Sequence, residues 1–140
     1  MTAFQFKEPV RFDLSIIIVS FNTRDVLLDC LASIYAKTEG ISYEVIVVDN
    51  ASSDDSYIAI SEAFPDVRLI LNDLNKGLSY ANNQGIREST GQWIALLNPD
   101  TCLIENSFYK IFRYIVIRVN SYKKLCFCVS NCLVATFNQS

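Results

Sequence analysis

The chain has 140 residues, 51% hydrophobic and 19% charged, a balance that fits one domain with a buried core and excludes a disordered chain. A net charge of −3 gives no electrostatic reason to bind nucleic acid, and the absence of histidine excludes Ser-His-Asp and Cys-His catalysis and every metal site that needs an imidazole. Five cysteines, an odd number, and no charged-then-apolar leader point to a reduced, cytoplasmic setting, and no run reaches the ~18 apolar residues that cross a bilayer.

Four apolar, β-branched runs come in order: Leu14–Val19, Glu44–Val48, Val67–Leu71 and Trp93–Leu97. They are continuous rather than alternating, which suits strands covered on both faces, and their spacing leaves room for a crossover helix between each pair. The first helix places Leu27, Leu31 and Ile34 on one face, with Thr23 as N-cap and Gly40 just past the end. The second starts from Ser52 or Ser53, carries Asp54 and Asp55 in its first turn and closes at Pro65. The third covers Ser79 to Glu88, with Gly91 in its exit loop. Together these predict a mostly parallel α/β sheet with flanking helices.

Past Asn106 the pattern changes. FYKIFRYIVIRV reads equally as helix or strand, and LCFCVSNCLVATF has no clear period. Residues 101–140 carry five basic residues against the single acid Glu105, whereas residues 1–100 carry seven against fourteen acids. The chain therefore divides into residues 12–106, one α/β unit, and residues 107–140, an unassigned apolar, basic, cysteine-rich tail.

Ligands of open parallel sheets bind beyond the carboxyl ends of the strands. Here those ends are polar: Ser20-Phe21-Asn22, Asp49-Asn50-Ala51-Ser52, the Asn72–Gly77 stretch with Lys76, and Asn98-Pro99-Asp100-Thr101. SFNTRD has no glycine, which excludes a dinucleotide-binding loop, and a P-loop is absent too. A phosphate held without such a loop calls for a metal or basic side chains. Asp100 offers a hard oxygen to Mg²⁺ or Mn²⁺, and Asp49 can accept hydrogen bonds from a base or ribose. A common hollow between the tips bearing these two carboxylates is the expectation.

The blocks SIIIVSFNTRDVLLDCLASI, EVIVVDNASSDDS, NKGLSYANNQGI and GQWIALLNPDT, in this order over residues 12–106, closely resemble family 2 glycosyltransferases, most of all a rhamnosyltransferase-like branch. The resemblance implies a GT-A fold, a Rossmann-like mostly parallel sheet with flanking helices, and transfer of a sugar from a nucleotide-diphospho-sugar to a glycan or lipid-linked acceptor. It implies that Asp49 contacts the base, that Ser20, Phe21 and Asn22 line the nucleoside pocket, and that Lys76 lies near base or phosphates. Asn98 and Asp100 match the ends of the family's D-x-D motif, with Asp100 as metal ligand. Asn98 replaces the first aspartate and brings no charge, so the ion depends on Asp100 and the donor diphosphate.

The resemblance also implies an acceptor half with a carboxylate base, which is not found after Asp100, so the chain is expected to be truncated and its fourth strand left at an exposed edge. That gives an expectation of poor solubility. Two rivals remain: a fragment that binds nucleotide without transfer, and a receiver-like signalling domain, which would want an acidic pair where the chain has Ser20-Phe21-Asn22. The basic tail can touch an anionic membrane surface, at the inner face of a membrane, or be simply solvated. Asn82, Asn83 and Gly85 read as structural and Trp93 as core. Cys30 and Cys102 read as small buried hydrophobes, and Cys126, Cys128 and Cys132 supply too few ligands for zinc.

Overall fold

The structure is a computed structural model that describes residues 11–118 and 126–129. In chain order it runs β1 (Phe12–Ser20), α1 (Arg24–Lys37), β2 (Tyr43–Asp49), α2 (Ser56–Ala63), β3 (Arg68–Leu71), α3 (Leu78–Glu88), β4 (Gly91–Leu97), α4 (Ser107–Arg118) and β5 (Cys126–Val129). The strands form one sheet in the order β3-β2-β1-β4-β5, and every neighbouring pair is parallel. This order reverses direction between β1 and β4, so the crevice that open sheets use for ligands falls between the ends of those two strands. A receiver-like sheet runs 2-1-3-4-5, and the observed order excludes it.

The continuous apolar runs are explained by burial on both faces. Leu14, Ile16 and Ile18 of β1 pack with Leu27, Leu31 and Ile34 of α1, Ile60 of α2 and Phe108 of α4. Ile17 and Val19 point to the opposite face, against Ile46, Val48, Ile94 and Ala81 of α3. Ile16, Ile17 and Ile18 are each fully buried, contributing roughly 1.5–3 kcal/mol apiece in apolar transfer. Ser15 interrupts the run without leaving a polar group unmet. Its hydroxyl accepts the Gly91 N–H at 2.8 Å and donates to Glu44 Oε1, which also takes the Thr90 N–H at 2.6 Å. Trp93 is core, as its sequence context implies.

Several local readings are corrected. α2 begins at Ser56 rather than beside Ser52, because Asp55 takes a left-handed turn and Asp54 caps from outside the helix. Thr23 is the N-cap of α1, but its hydroxyl pairs with Ser20 Oγ instead of capping. Gly91 opens β4 rather than lying in a loop; a Cβ there would stand 2.5 Å from the Ser15 backbone nitrogen. The FYKIFRYIVIR stretch is helical, and β5 runs along β4, so β4 is not an edge. Cys30 is buried but Cys102 is exposed. Cys126 and Cys128 fall on β5, while Cys132 and much of the tail lie outside the described residues. No described helix is long and apolar enough to cross a membrane.

Candidate functional site

β1 delivers Ser20, Phe21 and Asn22 to one side of the crevice. Ser20 is buried and Phe21 stands 48% exposed at the lip. Asn22 sits at φ +52°, a conformation asparagine tolerates better than most residues. Its backbone N–H donates to Ser52 Oγ at 2.9 Å, and its Oδ1 accepts the Ser53 N–H at 2.8 Å. The β1–α1 and β2–α2 loops are thereby tied to each other.

β2 delivers Asp49, only 3% exposed, as the last residue of the strand. Its Oδ1 accepts the Ser52 N–H at 2.8 Å; no other described residue donates to its side chain. A buried carboxylate with hydrogen-bond capacity left over beyond the Ser52 N–H is chemically suited to accept an N–H from a ligand. Asp54, five residues on, was expected in the first turn of α2 and instead serves two helices. Oδ2 accepts the Arg24 N–H that opens α1, at 2.9 Å, and Oδ1 accepts from the backbone and hydroxyl of Ser56, which opens α2. Burial pushes the Asp54 carboxyl up, but the Ser56 hydroxyl and the backbone N–H groups outweigh it and hold the pKa below its ordinary value.

A chain of amides supports the far side. Asn50 is buried; its Nδ2 donates to the Gly77 carbonyl at 3.3 Å, and its Oδ1 accepts from Asn72 Nδ2 at 2.9 Å. Asn72 and Gln84 exchange two hydrogen bonds of 2.8 Å. This network pins the β3–α3 loop, on which Lys76 rests with Nζ 4.9 Å from the Tyr80 ring centroid. Gln84 was not singled out from sequence; its place between the buried positions Ala81 and Gly85 of α3 was the available signal.

β4 delivers Asn98 and Asp100. The Asn98 carbonyl accepts the Thr101 N–H at 3.1 Å and lies 4.0 Å from Cys30 Sγ. Asp100 is exposed. Burial pushes the Cys30 thiol up to about 12, with Cys102 and Asp100 nearby adding to the shift, so Cys30 is not a nucleophile at neutral pH. Asp49 and Asp100 do not leave adjoining strands as the sequence reading required. β1 lies between them, and two strand spacings put the tips about 10 Å apart. The groove beside Asp100, of about 520 Å³, runs instead along α1, past Asp29, Ser33 and Lys37.

Among the described residues no three cysteine or carboxylate side chains converge on one point, so there is no preformed metal centre. One exposed carboxylate next to an amide fits a hard divalent ion whose other ligands are diphosphate oxygens and water.

The family model described as glycosyl transferase family 2 matches residues 15–120. The succinoglycan biosynthesis protein ExoO of Rhizobium meliloti is 39% identical over 90 residues, covering 63% of this chain and 25% of that protein. The UDP-Glc:alpha-D-GlcNAc-diphosphoundecaprenol beta-1,3-glucosyltransferase WfgD of Escherichia coli is 31% identical over 94 residues, covering 66% and 36%. Among solved structures, the mannosyltransferase PcManGT from Pyrobaculum calidifontis, in complex with GDP-Man and Mn²⁺, superposes with a TM-score of 0.69 at 23% identity, over 75% of this chain and 32% of that one. At that identity the likeness shows the fold. The chain spans about a quarter to a third of the length of these proteins.

Proposed function

The chain belongs to glycosyl transferase family 2, and from that premise we propose that its strand tips bind a nucleotide-diphospho-sugar for metal-assisted, inverting transfer to a glycan or lipid-linked acceptor. The parallel sheet with flanking helices is the GT-A arrangement. The observation that carries the proposal is Asp49, a buried carboxylate at the tip of β2 whose Oδ1 is fixed by the Ser52 N–H, in register with Ser20, the residue before the half-exposed Phe21.

In this reading Asp49 accepts an N–H of the base, Phe21 flanks the ring, and the Ser20–Asn22 turn closes the nucleoside pocket. Lys76 lies toward base or phosphates, Asn98 hydrogen-bonds ribose or a metal-bound water, and Asp100 holds Mg²⁺ or Mn²⁺. When bound, that ion neutralises charge on the departing diphosphate. The bond from the sugar's anomeric carbon to the diphosphate oxygen breaks as the acceptor oxygen bonds to that carbon, and the acceptor's proton passes to a base. The NPD tripeptide favours the rhamnosyltransferase-like branch, which makes a deoxyhexose the first donor sugar to try. WfgD is named for a lipid-linked diphosphate substrate, and by analogy we propose an acceptor at the cytoplasmic face of a membrane.

Isothermal titration with UDP and GDP, each with and without Mn²⁺, tests the proposal. Asp49→Ala is expected to weaken nucleotide binding about tenfold or more, as loss of a hydrogen bond to a charged group implies. Asp100→Ala is expected to remove the added affinity that Mn²⁺ confers. A wild-type chain that binds neither nucleotide with Mn²⁺ would overturn the reading. A second reading, binding without transfer, turns on Glu105, whose carboxylate is paired with Lys110. Nucleotide binding with no donor hydrolysis or transfer distinguishes it.

A further inference from the structure

Three residues outside glycine hold left-handed backbone among the described residues, Asn22, Ala51 and Asp55, and all three lie in the two loops that follow β1 and β2. Strained backbone of this kind persists where surrounding bonds over-determine it. Here the bonds are specific. Asn22 gives its N–H to Ser52 Oγ and takes the Ser53 N–H and hydroxyl on Oδ1. Ser52 in turn gives its own N–H to Asp49 Oδ1. One turn further out, the Asp54 carboxylate spans the gap between α1 and α2, taking the first N–H of each.

We propose that Asn22 and Asp54 form a latch that fixes the β1–α1 loop against the β2–α2 loop, and that this latch positions Phe21 and Asp49 for the donor base. The inference rests on the donor-site reading above and refines it. The Asn22 backbone N–H and Oδ1 are engaged by Ser52 and Ser53, so Asn22 ties the loops together as a positioning residue. Asp54 is a positioning residue as well, without reaching the crevice itself. Its position has a physical logic: it satisfies two otherwise orphaned helix N–H groups, and its charge sits at the positive ends of two helix dipoles at once. Without it the two helix starts share no partner, and the turn that carries Phe21 is held to the β2–α2 loop by the Asn22 bonds and by the Asn50 N–H on the Ser20 carbonyl.

The test uses the full chain with UDP and GDP, each with Mn²⁺, together with amide hydrogen exchange on the nucleotide-free protein. Asp54→Ala is expected to speed exchange at the Arg24 and Ser56 amides, leaving those of β1 and β4 as in wild type. It should also weaken nucleotide binding by about tenfold, as follows if the binding-competent loop arrangement falls to roughly a tenth of the population. Asp54→Asn, which keeps one acceptor oxygen, should recover part of both effects, a graded rescue that loss of folding would not give. Asn22→Ala, in the other loop, should weaken binding similarly and speed exchange at Ser53. Unchanged exchange at Arg24 and Ser56 in Asp54→Ala overturns the latch whatever the nucleotide data. So does equal nucleotide affinity of wild type and Asp54→Ala. A wild type that binds neither nucleotide overturns the donor-site reading instead, and removes the purpose assigned to the latch even if its amides loosen as expected.

Discussion

At the scale of single residues, Asp54 and Ala51 make opposite contributions. The Asp54 carboxyl has its folded pKa below the ordinary 3.8, so the folded chain binds that proton less readily than the unfolded one. The stability it contributes is therefore fully present above 3.8 and is lost as pH falls through the folded value. Asp54→Asn is expected to be less stable than wild type at pH 7, with the gap closing on acidification below pH 4 in urea titrations; a gap unchanged down to pH 3 would contradict this. Ala51 holds φ +66°, a conformation that costs an L-residue with a Cβ roughly 1–2 kcal/mol. Ala51→Gly should accordingly raise the urea midpoint by about 1 kcal/mol equivalent, less whatever the unfolded glycine gains in freedom. Sequence alone pointed to Asp49, an acid directly after an apolar run, and to Asp100, which follows the fourth such run after Asn98 and Pro99. It did not separate Asn22 the ligand from Asn22 the tie, since that depends on Ser52 and Ser53 thirty residues away.

At the scale of elements, two glycines set how closely the layers approach. A Cβ on Gly85 would stand 2.5 Å from Ile17 Cγ2, so α3 lies directly on the central strand. Gly85→Ala gains about 1 kcal/mol of helix propensity but is expected to lose more to overpacking, for a net cost of about 1–2 kcal/mol in chemical denaturation. The cost should shrink in an Ile17→Ala background, which removes the obstacle, and additivity of the two changes would argue against the contact. Gly91→Ala should cost more still, because its obstacle is the Ser15 backbone, which cannot turn aside as a side chain can. The four strands were legible to within a residue or two at nearly every end because two-sided burial writes itself as unbroken Val/Ile/Leu runs. The start of α2 was not legible. Ser52, Ser53, Asp54 and Asp55 are all good caps in isolation, and the choice among them is made by bonds to Asn22 in the β1–α1 loop and to Arg24 at the start of α1.

At the scale of the whole molecule, apolar residues stay exposed at one end of the sheet. Leu71 at the end of the edge strand β3, Leu74 in the following loop and Leu78 and Tyr80 on α3 are all between 43% and 69% exposed. Edge strands with uncovered apolar residues invite association. Leu74→Lys is expected to keep the chain monomeric at concentrations where wild type scatters light, with stability changed by less than about 0.5 kcal/mol, as for a surface substitution. The neighbour order of strands was not readable from spacing, since β1 pairs with both β2 and β4 and the second partner lies some eighty positions along the chain, Leu14 opposite Trp93. That pairing has a consequence for biogenesis. On the ribosome β1 emerges first yet stays open along one side until β4 has been made, which at about 5–20 residues per second is a delay of roughly 4–16 seconds. During that interval Ile16, Ile17 and Ile18 are apolar surface open to chaperones or to other chains, and synonymous codon changes that slow translation between α2 and β4 should prolong that exposure.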